Sequence, residues 1–95
     1  MPAYVVADIV VNDDKGYEAY KSGVAETVAK FGGRFLVRGG EAKSFEGGWQ
    51  PQRLVIIEFP DMATLEAWYR SADYAPLLAL RLQASDGRLV AVQGT

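Results

Sequence analysis

Four β-branched or alternating runs, separated in order by a helical stripe, a glycine-rich loop and a second helical region, leave this chain few folds to choose from. The first run, Ala3–Val11 (AYVVADIVV), lies between Pro2 and Asn12-Asp13-Asp14, and the latter reads as a helix start. Between 15 and 31 the large apolar residues fall at Tyr17, Tyr20, Val24, Val28 and Phe31, which is one stripe of an amphipathic helix, and Gly32-Gly33 supplies a left-handed stop. Arg34–Arg38 (RFLVR) and Arg53–Phe59 (RLVIIEF) read as the second and third strands, closed by Gly39-Gly40 and Pro60. Between them, the sequence predicts a short strand extension at 43–45 and then a turn around Gly47-Gly48. Asp61 is placed to cap a helix over 62–70, and a second helical piece over 74–84 tolerates Pro76 in its first turn. Asp86-Gly87 reads as a turn before a last strand over 88–93.

The resulting order is β-α-β-β-α-β, the split βαβ plan of the α+β, ferredoxin-like class: one antiparallel four-stranded sheet with helices on one face only. The 95 residues carry no linker, repeat or low-complexity segment, so 1–95 is expected to form one domain.

Strand alternation divides the sheet into two faces. Val5, Ala7, Ile9, Val11, Phe35, Val37, Val55, Ile57, Phe59, Leu89 and Ala91 form a wholly apolar set, expected to meet the helices. The complementary set mixes Tyr4, Val6, Val10, Leu36, Leu54, Ile56, Val90 and Val92 with the charges Asp8, Arg34, Arg38, Glu58 and Arg88. That is too apolar for a solvated face, and its simplest cover is a second copy of the same sheet in a twofold homodimer. Two such sheets enclose a barrel-like interior or a cleft, the kind of concave place that takes small molecules.

Composition restricts the chemistry. With no histidine and no cysteine, the chain has no imidazole base, thiolate nucleophile, disulfide or His/Cys metal site, so a catalyst here would use Asp, Glu, Lys, Tyr, Arg or a bound cofactor. The glycine pairs at 32-33, 39-40 and 47-48 match no dinucleotide or phosphate-loop pattern, and neither a cofactor nor a metal is expected. The net charge of -2 and scattered basic residues argue against nucleic acid. No apolar run approaches the roughly 20 residues that span a bilayer, and the start lacks the positive region of a secretory signal. A cytoplasmic protein off the membrane is expected.

Among polar residues, Asp8 and Glu58 lie on strands that this topology makes neighbours, and Arg38 lies on the strand beside Glu58. On one reading these three polarise, deprotonate or hold a bound molecule and are the catalytic candidates; on the other they form an ion-pair network at the dimer seam. Trp49, between two glycines and Pro51, stacks on a ligand or locks into a partner subunit. Tyr17 and Tyr20 belong to the helix stripe as core, with the option that a hydroxyl reaches a pocket. Tyr69 and Tyr74 cluster with Trp68 at the helix break as candidate pocket wall. Arg53 and Arg81 sit in or beside apolar runs, where an arginine pairs with a protein carboxylate or carbonyl or, more sharply, with a ligand carboxylate. Ligand-lining candidates are therefore Trp49, Tyr20, Tyr69, Tyr74 and Arg53.

The segments AYVVADI near the start, VAKFGGRFLVRGGE over 28–41, EGGWQPQRLVIIEFPD over 46–61 and AWYRSADYAPLLALR over 67–81 together resemble the domain-of-unknown-function family 1330, a group of small bacterial proteins. The resemblance covers almost the whole chain and implies the dimeric α/β-barrel fold and a homodimer, but no activity. The wider superfamily holds cofactor-free monooxygenases, haem-degrading enzymes, dismutases and isomerases; those activities come by fold analogy alone, and the missing histidine argues against the haem-binding branches. The expectation is a homodimer that binds a small, partly apolar organic molecule between sheet and helices, with a cofactor-independent enzyme as its catalytic version. A non-catalytic dimerisation module without ligand is the alternative, and it should have a filled interior.

Overall fold

The computed structural model describes residues 1–95. The chain runs β1 (Ala3–Val11), α1 (Asp14–Lys30), β2 (Arg34–Arg38), β3 (Arg53–Phe59), α2 (Met62–Tyr69), α3 (Ala75–Ala84) and β4 (Ser85–Gln93). The four strands form one antiparallel sheet in the order β2-β3-β1-β4. This is the expected α+β, ferredoxin-like fold. All three helices cover one face, and the Cα trace is a slab of 35 × 34 × 16 Å, thick enough for one sheet and one helix layer.

Local chemistry sets the ends of the elements. The Asp13 carboxylate accepts from the Gly16 amide at 3.2 Å to start α1, and Asp61 accepts from Thr64 N at 2.8 Å to start α2. Helix α1 stops where Gly32 turns to φ +76°, with the Gly32 and Gly33 amides bonded back to Ala29 and Val28. Between α2 and α3 the Ser71 hydroxyl accepts from the Tyr74 amide, so the chain breaks its helix and resumes one turn later with Pro76 in the first turn.

The core lies wholly between sheet and helices. Val5, Ala7, Ile9, Val55, Ile57 and Phe59 from the sheet meet Tyr17, Tyr20, Val24 and Val28 of α1, and Leu65, Trp68 and Tyr74 beyond them. Trp68 is fully buried, with ring centroids 5.2 Å from Phe59 and 4.2 Å from Tyr74, and its indole donates to Thr27 Oγ1 at 3.0 Å. No residue of the opposite face is among the 17 buried ones.

Three expectations change. The 43–45 extension is not a strand: the Gln50 side chain accepts from Ser44 N at 3.0 Å and donates to Ala42 O, taking up groups that a ladder would need, and Phe45 is exposed. Asp86-Gly87 is not a turn. Helix α3 runs straight into β4 at Ser85, and Asp86 and Gly87 pair with Val10 and Ile9; a Cβ at Gly87 would come within 2.6 Å of Ile9 Cδ1, which explains the glycine.

The third change moves a charge across the sheet. β2 pairs Phe35 with Ile57 and then Val37 with Ile56, so Leu36 is an extra residue in a β-bulge. Beyond the bulge the alternation is reversed: Val37 faces outward and Arg38 pairs with Val55 on the helix side, contrary to both expected faces.

Candidate functional site

On the helix side of the sheet, the core leaves a narrow cavity of about 20 Å³, enough for one water molecule. Its walls are Val5, Ala7 and Ile9 of β1, Val55 and Ile57 of β3, Tyr20 and Val24 of α1, and Trp68, and its mouth is set by Lys21, Arg38 and Arg53. Arg81 closes it from α3.

The cations are placed by different devices. Arg53 Nε donates to the Tyr17 hydroxyl at 3.1 Å, and the guanidinium lies 5.3 Å from that ring's centroid. Its flank rests on Gly39, which also needs its φ of +76°; a Cβ there would fall within 2.5 Å of an Arg53 nitrogen. Arg38 stacks over Phe35 with its Cζ 4.4 Å from the ring centroid and donates to the Lys21 carbonyl at 3.3 Å. Arg81, only 5% exposed, sits in the last turn of α3, where the helix C-terminus favours a cation. Its Nε is buried without a hydrogen-bond partner. Burial works against its charge, but the oxygens of Tyr74, Tyr20 and Tyr69 around it outweigh that and hold its pKa above the ordinary arginine value.

Tyr20 and Tyr74 share a hydrogen bond at 2.9 Å inside this core. Burial pushes the Tyr20 hydroxyl far above the usual tyrosine range, and Tyr74 adds to the shift. The Tyr20 hydroxyl therefore keeps its proton at physiological pH and can donate to an anion but cannot serve as its base.

The open face is arranged differently. Asp8 accepts from the Trp49 indole at 2.9 Å and pairs with Arg88 at 3.4 Å, while Glu58 pairs with Arg34 at 2.7 Å and accepts from the Tyr4 hydroxyl at 3.3 Å. An open cleft of about 450 Å³ lies between Trp49 and the sheet, lined by Val6, Asp8, Leu54, Arg88 and Val90. Its two charges already satisfy one another, and a second sheet laid on this face would fill it.

The structure therefore separates the expected polar trio. Asp8 pairs with Leu54 and Glu58 with Tyr4, four positions apart along the strands, or about 13 Å at the usual strand rise. Arg38 stands on the other side of the sheet because of the bulge. Of the lining candidates, Tyr20 and Arg53 border the cavity, Tyr74 is fully buried behind Tyr20, and Tyr69 is half-buried against Trp68 and Tyr74. Trp49 is on the opposite face. Lys21 and Tyr17 also border the cavity, and the only mark they carry in the sequence is their spacing of four along α1. No three acidic side chains converge as a metal site would require, and no helix is long and apolar enough to cross a membrane.

A family model described as a domain of unknown function (DUF1330) matches residues 2–95. No curated protein matches. Among solved structures, a protein of unknown function from Rhodopseudomonas palustris has a TM-score of 0.79 at 18% identity, covering 99% of this chain and 82% of that one. A protein from Jannaschia sp. CCS1, described as dimeric, ferredoxin-like and of unknown function, has a TM-score of 0.71 at 11% identity, with 99% and 100% covered. SnoaB from Streptomyces nogalater, described as a cofactor-independent oxygenase, has a TM-score of 0.61 at 14% identity, with 99% and 93% covered. At these identities the likeness is one of fold.

Proposed function

We propose that this chain, which belongs to the DUF1330 family, is a homodimer that binds a small, partly apolar organic molecule between its sheet and its helices. The observation that carries the reading is the unfilled gap in the middle of the core, walled by aliphatic and aromatic side chains and ringed by long polar ones. Entry of anything larger than water requires Arg38 and Arg53 to swing outward. Arg38 is exposed and Arg53 half-exposed, so this motion disturbs little of the core.

Binding, rather than proton abstraction, is the chemistry that this interior supports. It contains no carboxylate and no imidazole, and the buried Tyr20 resists ionising. Within this reading Tyr20 and Arg53 touch the ligand, Arg38 guards the mouth, and Tyr69 and Tyr74 back the wall. Asp8, Glu58 and Trp49 belong to the seam between subunits, supported by the apolar side chains exposed around them, Leu36, Val90 and Val92 among others. The dimeric description of the Jannaschia relative agrees with that seam.

The second reading is a dimerisation module with no ligand, and the small size of the cavity favours it. Trp68 lines the gap and Trp49 does not, so a Trp49→Phe variant gives a fluorescence signal from the interior alone. Titrating that variant with a panel of small organic compounds should produce a saturable change, and native mass spectrometry should give a dimer. A monomer would overturn the seam, and silence of Trp68 towards the whole panel would leave the module reading standing.

A further inference from the structure

Four of the chain's ten basic residues, Lys21, Arg38, Arg53 and Arg81, border one cavity, and none of its twelve acidic residues does. The chain as a whole is net negative, so this segregation does not follow from composition. Lys21 has a surface partner, Glu18, at 3.5 Å, whereas no carboxylate lies within ion-pairing distance of Arg38, Arg53 or Arg81. Arg81 is the decisive member: a buried guanidinium with an unpartnered Nε on a cavity wall. A single water in the gap could accept from Nε, but it would not balance the charge. The end of α3 supplies only about half an elementary charge, and the tyrosine oxygens around Arg81 ease its burial without bringing a carboxylate to it. An unpaired charge in an apolar interior is costly enough that proteins rarely keep one without a counter-ion.

We infer that the missing counter-ion is the ligand's own: the cavity takes a small organic carboxylate, its anionic end on Arg81 and Arg53 and its apolar body against Val55, Ile57 and Trp68. This rests on the cavity reading above and names the class of molecule it receives. Arginine suits the task because its planar fork meets a carboxylate with two parallel hydrogen bonds. Arg53 is held through Nε by Tyr17, leaving its terminal nitrogens for such a pair. The Tyr20 hydroxyl, on the same wall, adds a neutral donor. A phosphate monoester fits less well, since its bulkier and more highly charged group would have to be desolvated in a narrow gap lined mainly by apolar side chains.

The test compares two series of matched probes, acetate, butanoate, hexanoate and benzoate against the corresponding primary amides, titrated into the Trp49→Phe protein and followed by Trp68 fluorescence and by amide shifts of β1 and β3. The acids should bind, with affinity rising along the series, and each amide should bind at least about tenfold more weakly, the scale of a charge-assisted hydrogen bond. Arg81→Met should weaken benzoate binding by about a hundredfold. Arg53→Met, at a half-exposed site and so safe for folding, should weaken it by about tenfold. Equal binding of acids and amides, unchanged in both variants, would overturn the anion inference and leave the cavity reading intact. No response to either series would overturn both.

Discussion

The two faces of the sheet treat charge in opposite ways. Outside, each acid has its cation, Asp8 with Arg88 and Glu58 with Arg34, in pairs whose arginines are largely exposed. Inside, where a charge is far more expensive to hold, Arg81 stands unpaired beside Arg53 and Arg38. Paired charges at a surface add little to stability and serve register and association. Unpaired ones in a core are kept against the grain of stability, which is the pattern expected where function rather than folding retains a residue.

The sharpest way to break the contrast is to attack the outer face as an interface. Val90 is 59% exposed, on edge strand β4 opposite Val6. Val90→Asp should leave the monomer folded and weaken the proposed dimer by about 2 kcal/mol or more, roughly thirtyfold. Sedimentation velocity over a concentration series measures this, and an unshifted dimer would show that the seam lies elsewhere. Next in size is a paired comparison across the sheet. Arg81→Met should leave the unfolding free energy of the ligand-free protein within about 1 kcal/mol of the parent, because the burial cost it removes is offset by the loss of the tyrosine oxygens' hold on the charge. Glu58→Gln, outside, should lower it by at most about 1 kcal/mol. Urea melts of both would contradict the charge asymmetry if the Arg81 variant lost far more stability than that, as breaking a buried ion pair does.

The smallest effect concerns acid. The interior has no carboxylate, so acid sensitivity must arise outside it. Asp61, capping α2, has its pKa lowered by its hydrogen bonds to Thr64. A depressed folded pKa contributes stability that is present above the ordinary aspartate value and is lost as pH falls through the folded one. Asp61→Asn should therefore cost stability near neutrality and converge with the parent protein at low pH in denaturant midpoints. Parallel curves across the acid range would remove Asp61 from that account.

The fold was legible because the four strands and the stripe of α1 announce themselves by period, and because Gly32 and Asp61 mark ends with residues suited to the needed backbone. Arg53 and Arg81 could be flagged as basic residues in apolar company, but whether a protein carboxylate met them depended on distant elements. Arg38 could not be placed at all from its neighbours. RFLVR reads as a plain strand with an arginine at each end, and the bulge that reverses its second half shows only in the pairing with β3, beside Gly39, whose amide donates to Leu54 O at 2.8 Å. Tyr17 looked like core and is core, yet its hydroxyl also steers Arg53. Local pattern carries no information about that second duty.

That bulge has a bearing on how kindred chains are compared. Leu36 is the supernumerary residue, so a version shorter by that one codon would keep Phe35, Val37 and Arg38 opposite Ile57, Ile56 and Val55 in an unbroken ladder. Aligned letter by letter, with the gap set anywhere else, the same chain would present its arginine on the wrong side of the sheet. Which compartment this arginine serves is thus decided by strand length, and a deletion could pass unnoticed where an exchange of side chain would not.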